Sequence, residues 1–294
     1  MELNKRLFKG GISVIIIVLL VSIGISYYLR LDEPVFLKVY MEKYMPQDRK
    51  YHEDVSLEIK YITNIEDGRT VSFVEFQDYP ELNVYSSEYG LNDLNFFYEE
   101  PGLGQDIGRY NVRTIYIYLD TSNLKDYNEE IHINKARMHF SDGETKDVDI
   151  GKLILYSDKG LSNYEHFQHI SSSGRGDGSS STREKIKEDI QLVKVEGVLL
   201  DQVKDFTEIS IGNKDYRQIE GERYKSGSYL QIDTIFNKPD DAELKMYDYE
   251  LKPKLIYRDG KGKEFLYRIL NLHYYKREFT YKEILEFLKV GGKI

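Results

Sequence analysis

FSDGETKDVDIGKLILY, residues 140–156, and YRDGKGKEFLYRILNLH, residues 257–273, decide how this chain is read. At a shift of 117 they share Asp142/Asp259, Gly143/Gly260, Lys146/Lys263, Leu153/Leu270 and Leu155/Leu272. Similarity at a fixed offset marks a duplicated structural unit. In both stretches an Asp-Gly pair divides two runs rich in alternating apolar residues. Asp-Gly tolerates the positive φ of a tight hairpin, so each copy predicts strand, turn, strand.

The same shift lays VRTIYIYL (112–119) on YLQIDTIF (229–236). Ile115, Ile117 and Leu119 fall on Ile232, Thr234 and Phe236, alternate positions that line one face of a strand. Downstream, Ser162-Asn-Tyr-Glu165 sits opposite Thr280-Tyr-Lys-Glu283 at a shift of 118. Both have capping-box spacing, in which hydroxyl and carboxylate satisfy each other's backbone amides. After Thr280, the residues Tyr281, Ile284, Leu285 and Leu288 share a helical face that stops near Gly291. The first copy predicts a shorter, more polar helix ending near Ile170. Asp67-Gly68 reads as a further turn, between SLEIKYITN and RTVSFVEF.

Frequent turns and alternating strands point to an all-β soluble region. The expected fold is two tandem immunoglobulin-like β-sandwiches, each ending in a short helix. SSSGRGDGSSS (171–181) reads as a Ser/Gly linker between domain 1 (31–170) and domain 2 (182–294). Its Arg175-Gly176-Asp177 matches an adhesive tripeptide, but a three-letter match is cheap.

Ahead of both copies, GGISVIIIVLLVSIGISYYL (10–29) carries no charge. As a helix it spans roughly 30 Å, the thickness of a bilayer's hydrocarbon core. Lys5, Arg6 and Lys9 precede it, and Tyr27 and Tyr28 lie at its far end. This pattern predicts a short cytoplasmic tail (1–9), a single transmembrane helix and a body outside the cytoplasm. Gly24-Ile25-Ser26 offers small residues at cleavage-like spacing. The apolar run nevertheless exceeds the roughly 7–15 residues of a signal peptide's core, so an uncleaved anchor is expected.

Residues 31–294 hold 37 basic and 49 acidic side chains, a net of −12. Such a surface repels nucleic acid, and none is expected as a partner. The absence of cysteine removes disulfides and thiolate metal sites and suits a bacterial surface.

No recognised nucleophile motif or phosphate-cradling glycine loop is present, so no cofactor and no enzymatic activity are expected. His166 and His169 are three apart on the expected first-copy helix but lack a third metal ligand nearby. The acidic turn with Asp142, Glu144, Asp147 and Asp149 lacks calcium-loop spacing.

The strongest binding candidate is Tyr79–Gly108, which holds six acids, six aromatic residues and no Lys or Arg. Placing VSFVEF (71–76) on TEISIG (207–212) makes this segment an extra-long loop of the first copy. Tyr85, Tyr89, Phe96, Phe97, Tyr98, Glu99 and Glu100 are its candidate ligand- or partner-binding residues. The function expected is a non-enzymatic, membrane-anchored interaction or spacer protein of a bacterial cell envelope, with a protein or wall-polymer partner. A cell-wall glycan-binding module using that loop is the second reading, and a membrane-bound hydrolase with dispersed carboxylates the third.

Overall fold

The computed structural model describes residues 2–45, 55–88, 104–120, 130–157, 166–175, 178–269 and 272–294. It opens with helix α1 (Glu2–Tyr28), whose stretch Gly10–Tyr28 is long and apolar enough to cross a membrane. The rest is mostly β-sheet. The first half contributes β1 (Val35–Phe36), β2 (Val39–Met45), β3 (Val55–Asn64), β4 (Val71–Glu75), β5 (Asn83–Ser87), β6 (Gln105–Ile107), β7 (Tyr110–Asp120), β8 (Ile131–Phe140) and β9 (Thr145–Ser157). The second contributes β10 (Phe167–Gly174), β11 (Ser179–Ile186), β12 (Ile190–Glu196), the one-turn helix α2 (Leu200–Val203), β13 (Thr207–Ile211), β14 (Lys214–Asp215) and β15 (Arg223–Tyr224). It continues with β16 (Tyr229–Phe236), β17 (Asp248–Leu251), β18 (Lys254–Asp259), β19 (Glu264–Arg268), β20 (Leu272–Tyr274) and helix α3 (Tyr281–Val290).

Four sheets form. Sheet I runs β1-β3-β7-β5, with β6 also on β7. Sheet II runs β20-β17-β2-β9-β8-β4. Sheet III runs β10-β11-β16-β13-β14, and sheet IV runs β15-β12-β18-β19. Alternation places Leu57, Ile59, Ile115, Ile117 and Leu119 on the inner face of sheet I. They share one buried cluster with Ile131, Ile133, Met138, Leu153 and Leu155 of sheet II. Ile209, Ile211, Leu230, Ile232 and Phe236 of sheet III likewise join Leu192, Leu255, Tyr257 and Tyr267 of sheet IV. Each pair of sheets is therefore a two-layer sandwich around an apolar interior.

The pairing order repeats. β3-β7-β5 corresponds to β11-β16-β13, and β9-β8-β4 to β19-β18-β12. The expected hairpins at the two Asp-Gly pairs are present, but their register corrects the shift of 117. The Phe140 amide bonds the Glu144 carbonyl, as the Asp259 amide bonds that of Lys263. The positive-φ glycines are Gly143 and Gly262, so the turns match at a shift of 119. A two-residue slip preserves the faces of a strand, so alternation could not detect it.

Three further expectations are corrected. Residues 171–181 are no linker, because β10 pairs antiparallel with β11 from Phe167↔Ile186 to Gly174↔Ser180. Small polar side chains suit an exposed strand as well as they suit a loop, and β16 supplies β11 with a partner. For the same reason Phe167–Ile170 are strand, where a helix was expected. Asp67-Gly68 closes no hairpin: β3 pairs with β7 and β4 with β8, and the turn that carries the chain between sheets is Asn64–Asp67, closed by the Asp67 amide on the Asn64 carbonyl. Ser162–Glu165 lie outside the described residues. At the other end Thr280 and Glu283 form the full capping box.

The halves are fused. β17 pairs in parallel with β2, Tyr249 opposite Tyr40, and β20 continues the sheet beyond it. Tyr249 is 1% exposed, stacked on Tyr40 at 5.5 Å and packed against Phe206 and Phe236. Sheet II thus draws strands from both sides of residues 171–181.

Candidate functional site

β7 explains where the accessible aromatic surface lies. Ile115, Ile117 and Leu119 fill the sandwich, so the alternate residues Tyr116 and Tyr118 stand on the outer face of sheet I. Tyr118 is directly opposite Tyr85 on β5 and Ser56 on β3, and Tyr116 is opposite Glu58. Directly opposed residues share a face, so Tyr85 and Tyr118 form one aromatic row. Tyr85 is 57% exposed.

The row borders a groove of about 550 Å³ where sheet I meets the seam. Lys43, Glu58, Lys60, Tyr116, Tyr118, Tyr275 and Arg277 contribute to its wall. The cations come from β2, β3 and the segment after β20, so only the fused seam assembles them.

Behind the groove runs a chain of buried ion pairs. Lys60 bonds Asp248, whose other carboxylate oxygen accepts the Lys276 backbone amide at 2.7 Å. Burial raises the Asp248 carboxyl above the ordinary aspartate range despite Lys60 beside it. Two residues on, Glu250 accepts hydrogen bonds from Lys43 and the Tyr275 hydroxyl, with the Lys252 ammonium at 3.0 Å. Burial pushes Glu250 up as well, but Lys43, Lys252 and the Tyr275 hydroxyl outweigh it and hold the carboxyl at about 2. Burial and the Glu250 charge together raise the Tyr275 hydroxyl. Glu42, fully buried, accepts from the Tyr156 hydroxyl at 3.1 Å and from the Lys252 amide. These carboxylates are committed to holding strands together and stand behind the groove as supports.

Of the residues singled out from the sequence, Tyr85 is placed on this face. Tyr89, Phe96, Phe97, Tyr98, Glu99 and Glu100 lie outside the described residues. The excess length of their loop is smaller than the sequence alignment implied. By its pairing β5 is the counterpart of β13, and VSFVE of β4 is the counterpart of β12. The connections to β7 and β16 are then residues 88–109 and 212–228, 22 and 17 residues, so the first copy is longer by five. Tyr116 and Tyr118 were missed although the signal was present, since an inward Ile115/Ile117/Leu119 face obliges its neighbours to point outward.

The other candidates resolve into structural contacts. His166 is buried, its Nδ1 3.1 Å from the Tyr257 hydroxyl, and His169 on β10 meets Glu184 at 2.8 Å. In the acidic turn, Arg69 pairs with Glu144 at 2.6 Å, Arg137 with Asp147 at 2.7 Å and Lys38 with Asp149 at 2.7 Å. Among the described residues no three His, Asp or Glu side chains converge as a metal set would. Arg175 opens the turn between β10 and β11, its amide on the Ser179 carbonyl. Gly176 and Asp177 lie outside the described residues.

No family model matches the chain, and no curated protein does. Among solved structures, the YadV chaperone is 12% identical, with a TM-score of 0.21 over 81% of this chain and 98% of its own. A protein of unknown function from Porphyromonas gingivalis W83 is 8% identical, with a TM-score of 0.23 over 80% of this chain and 97% of its own. The Pseudomonas aeruginosa CupB2 chaperone is 7% identical, with a TM-score of 0.17 over 80% and 100%. At these scores the likenesses carry no argument about function.

Proposed function

We propose that the chain is a non-enzymatic, single-pass membrane protein of a bacterial cell envelope. Two tandem immunoglobulin-like sandwiches act as a stiff interaction or spacer module outside the cytoplasm. The observation that carries this reading is how directly the helix and the two sandwiches join. α1 ends at Tyr28, the core begins at Leu31, and the two sandwiches share sheet II. The immunoglobulin-like assignment is supported by strand order. β1-β3-β7-β5 against β2-β9-β8-β4 follows the ABED and CFG plan of that fold, with β2 a first-strand extension that crosses to the opposite sheet. Lys5, Arg6 and Lys9, just ahead of the apolar span, support an outside body.

Because the chain has no cysteine, a single Lys261→Cys in the exposed β18–β19 turn makes topology measurable. A membrane-impermeant maleimide is expected to label it on intact cells. Labelling only after lysis would place the body in the cytoplasm and overturn the proposal.

A second reading is favoured by the Tyr85–Tyr118 row, which moves the glycan-binding surface from the acidic loop to the outer face of sheet I. Tyrosine faces stack on sugar rings, and the exposed Arg277 at the groove suits a polysaccharide bearing anionic groups. Tyr85→Ala with Tyr118→Ala is expected to weaken retention on purified anionic wall polysaccharide without moving Tm. Unchanged retention removes this reading and leaves the spacer role in place.

A further inference from the structure

The junction between helix and body carries more than a linkage. The Tyr110 hydroxyl donates to the Leu29 carbonyl at 2.6 Å. Asn64 grips Leu31 twice, accepting its amide at 3.0 Å and donating to its carbonyl at 2.7 Å. Leu31 itself is 3% exposed. Arg109 reaches down to the Ser26 hydroxyl at 3.2 Å, within the apolar span. The last turn of α1 is thereby clamped to the turn before β7 and the end of β3.

That clamp fixes which end of the body adjoins the helix, and the residues there have an interfacial character. Ile65, whose amide bonds the Arg109 carbonyl, is exposed, as are Tyr27 and Tyr28. Tyr281 stacks on Tyr110 at 6.0 Å and is half open to solvent. Arg30 and Lys282 are exposed beside them in sequence. Among the described residues Arg109 meets no carboxylate, and its Nε is buried without a hydrogen-bond partner. An arginine level with Ser26, facing no carboxylate among the described residues and flanked by tyrosines, matches the chemistry of a bilayer interface.

We propose that this end of the body is seated in the headgroup layer of an anionic phospholipid bilayer. Arg109 and Arg30 engage lipid phosphates, and Ile65, Tyr28 and Tyr281 lie at the level of the glycerol backbone. The inference rests on the anchor reading above. It adds that the body does not swing free of the membrane: the helix clamp and the lipid contacts together fix its orientation.

The test uses the full chain reconstituted in liposomes of phosphatidylcholine and phosphatidylglycerol, with one introduced cysteine carrying a small fluorophore. Val14→Cys reports the helix, Glu66→Cys the seated end and Glu81→Cys the far end. β7 climbs eleven residues from Tyr110 to Asp120, which pairs with Asn83 beside Glu81, so the far end is roughly 30 Å away. Headgroup-labelled quencher lipid is expected to quench position 66 and spare 81, while acyl-labelled quencher reaches 14. Adding Arg109→Gln is expected to reduce quenching at 66, with the seating equilibrium weakened by about fivefold, the contribution of one basic residue at an anionic surface. Quenching at 14 without quenching at 66 overturns the seat and leaves the anchor standing. Equal quenching at 66 and 81 also overturns it, since the body would lie flat. No quenching at 14 overturns the anchor itself.

Discussion

β1 and β10 open the two copies, and each pairs antiparallel with the next long strand, β3 and β11. β10 runs eight residues and stays in its sheet. β1 runs two, after which the Leu37 amide bonds the Lys60 carbonyl and the chain crosses to sheet II as β2. The consequence is large. In the first copy the edge of β9 is covered by β2, and β2 in turn offers its other edge to β17. Among the described residues β19, the counterpart of β9, has only β18 as a neighbour. One early crossing therefore turns an ordinary sandwich edge into the joint between two sandwiches. Nearly equivalent strands acquire different roles from where the chain leaves the sheet.

The largest expected effect comes from striking the joint. Tyr249→Ala removes a ring packed among Tyr40, Phe206 and Phe236, at a cost of about 3–5 kcal/mol. If the crossing makes the halves one cooperative unit, the wild type melts in a single calorimetric transition and the variant separates into two. Two transitions in the wild type would mean that the shared sheet couples the halves weakly.

A comparable effect follows from the ion pairs. Glu250 is held at about 2 against an ordinary 4.5. A depressed carboxyl gives stability that is complete above about pH 4.5 and is lost as pH falls toward 2, here on the order of 3 kcal/mol. Glu250→Gln is expected to be less stable than wild type at pH 7, with the gap closing between pH 5 and 2. Asp248 has the opposite sign, but it is present in both proteins and cancels in the difference. Urea midpoints across that range provide the measurement, and a gap independent of pH would refute the assignment.

The smallest effect contrasts two glycines. Gly151 has φ of +90° at the crossing, where a Cβ would meet the Val39 carbonyl oxygen at 2.4 Å. Gly262 has φ of +83° in an open turn with nothing within 4 Å. Gly151→Ala is expected to cost about 1–3 kcal/mol through strain and displaced pairing, and Gly262→Ala about 1 kcal/mol from backbone preference alone. Equal losses in urea denaturation would mean that β2 and β9 yield easily to one another.

Several features were legible in the sequence because they depend on neighbours along the chain. The capping box at Thr280 and Glu283 needs three residues' spacing, and the strand faces of β7 and β16 need only alternation. Contacts set by distant residues were not legible. The serines at 171–173 and 179–181 have no local reason to be strand, and become so because β11 pairs with both β10 and β16. Half of the aromatic face could have been deduced from the inward Ile115, Ile117 and Leu119. The groove could not, since Lys43, Lys60 and Arg277 converge only when β2 leaves β1 and meets β17.

By itself, the sequence determined the apolar helix, the β-rich body, the duplicated hairpins and the absence of thiol chemistry. Each follows from composition or from periodicities of two and 3.6 residues, which are fixed by local backbone geometry. Tertiary structure alone decided the register of the repeat, the fusion of the sandwiches, the commitment of the buried carboxylates to lysines and the clamp of α1 on Tyr110 and Asn64. Those depend on which edges and charges meet across long stretches of chain. A one-dimensional pattern leaves that choice open until burial and hydrogen bonding select one pairing.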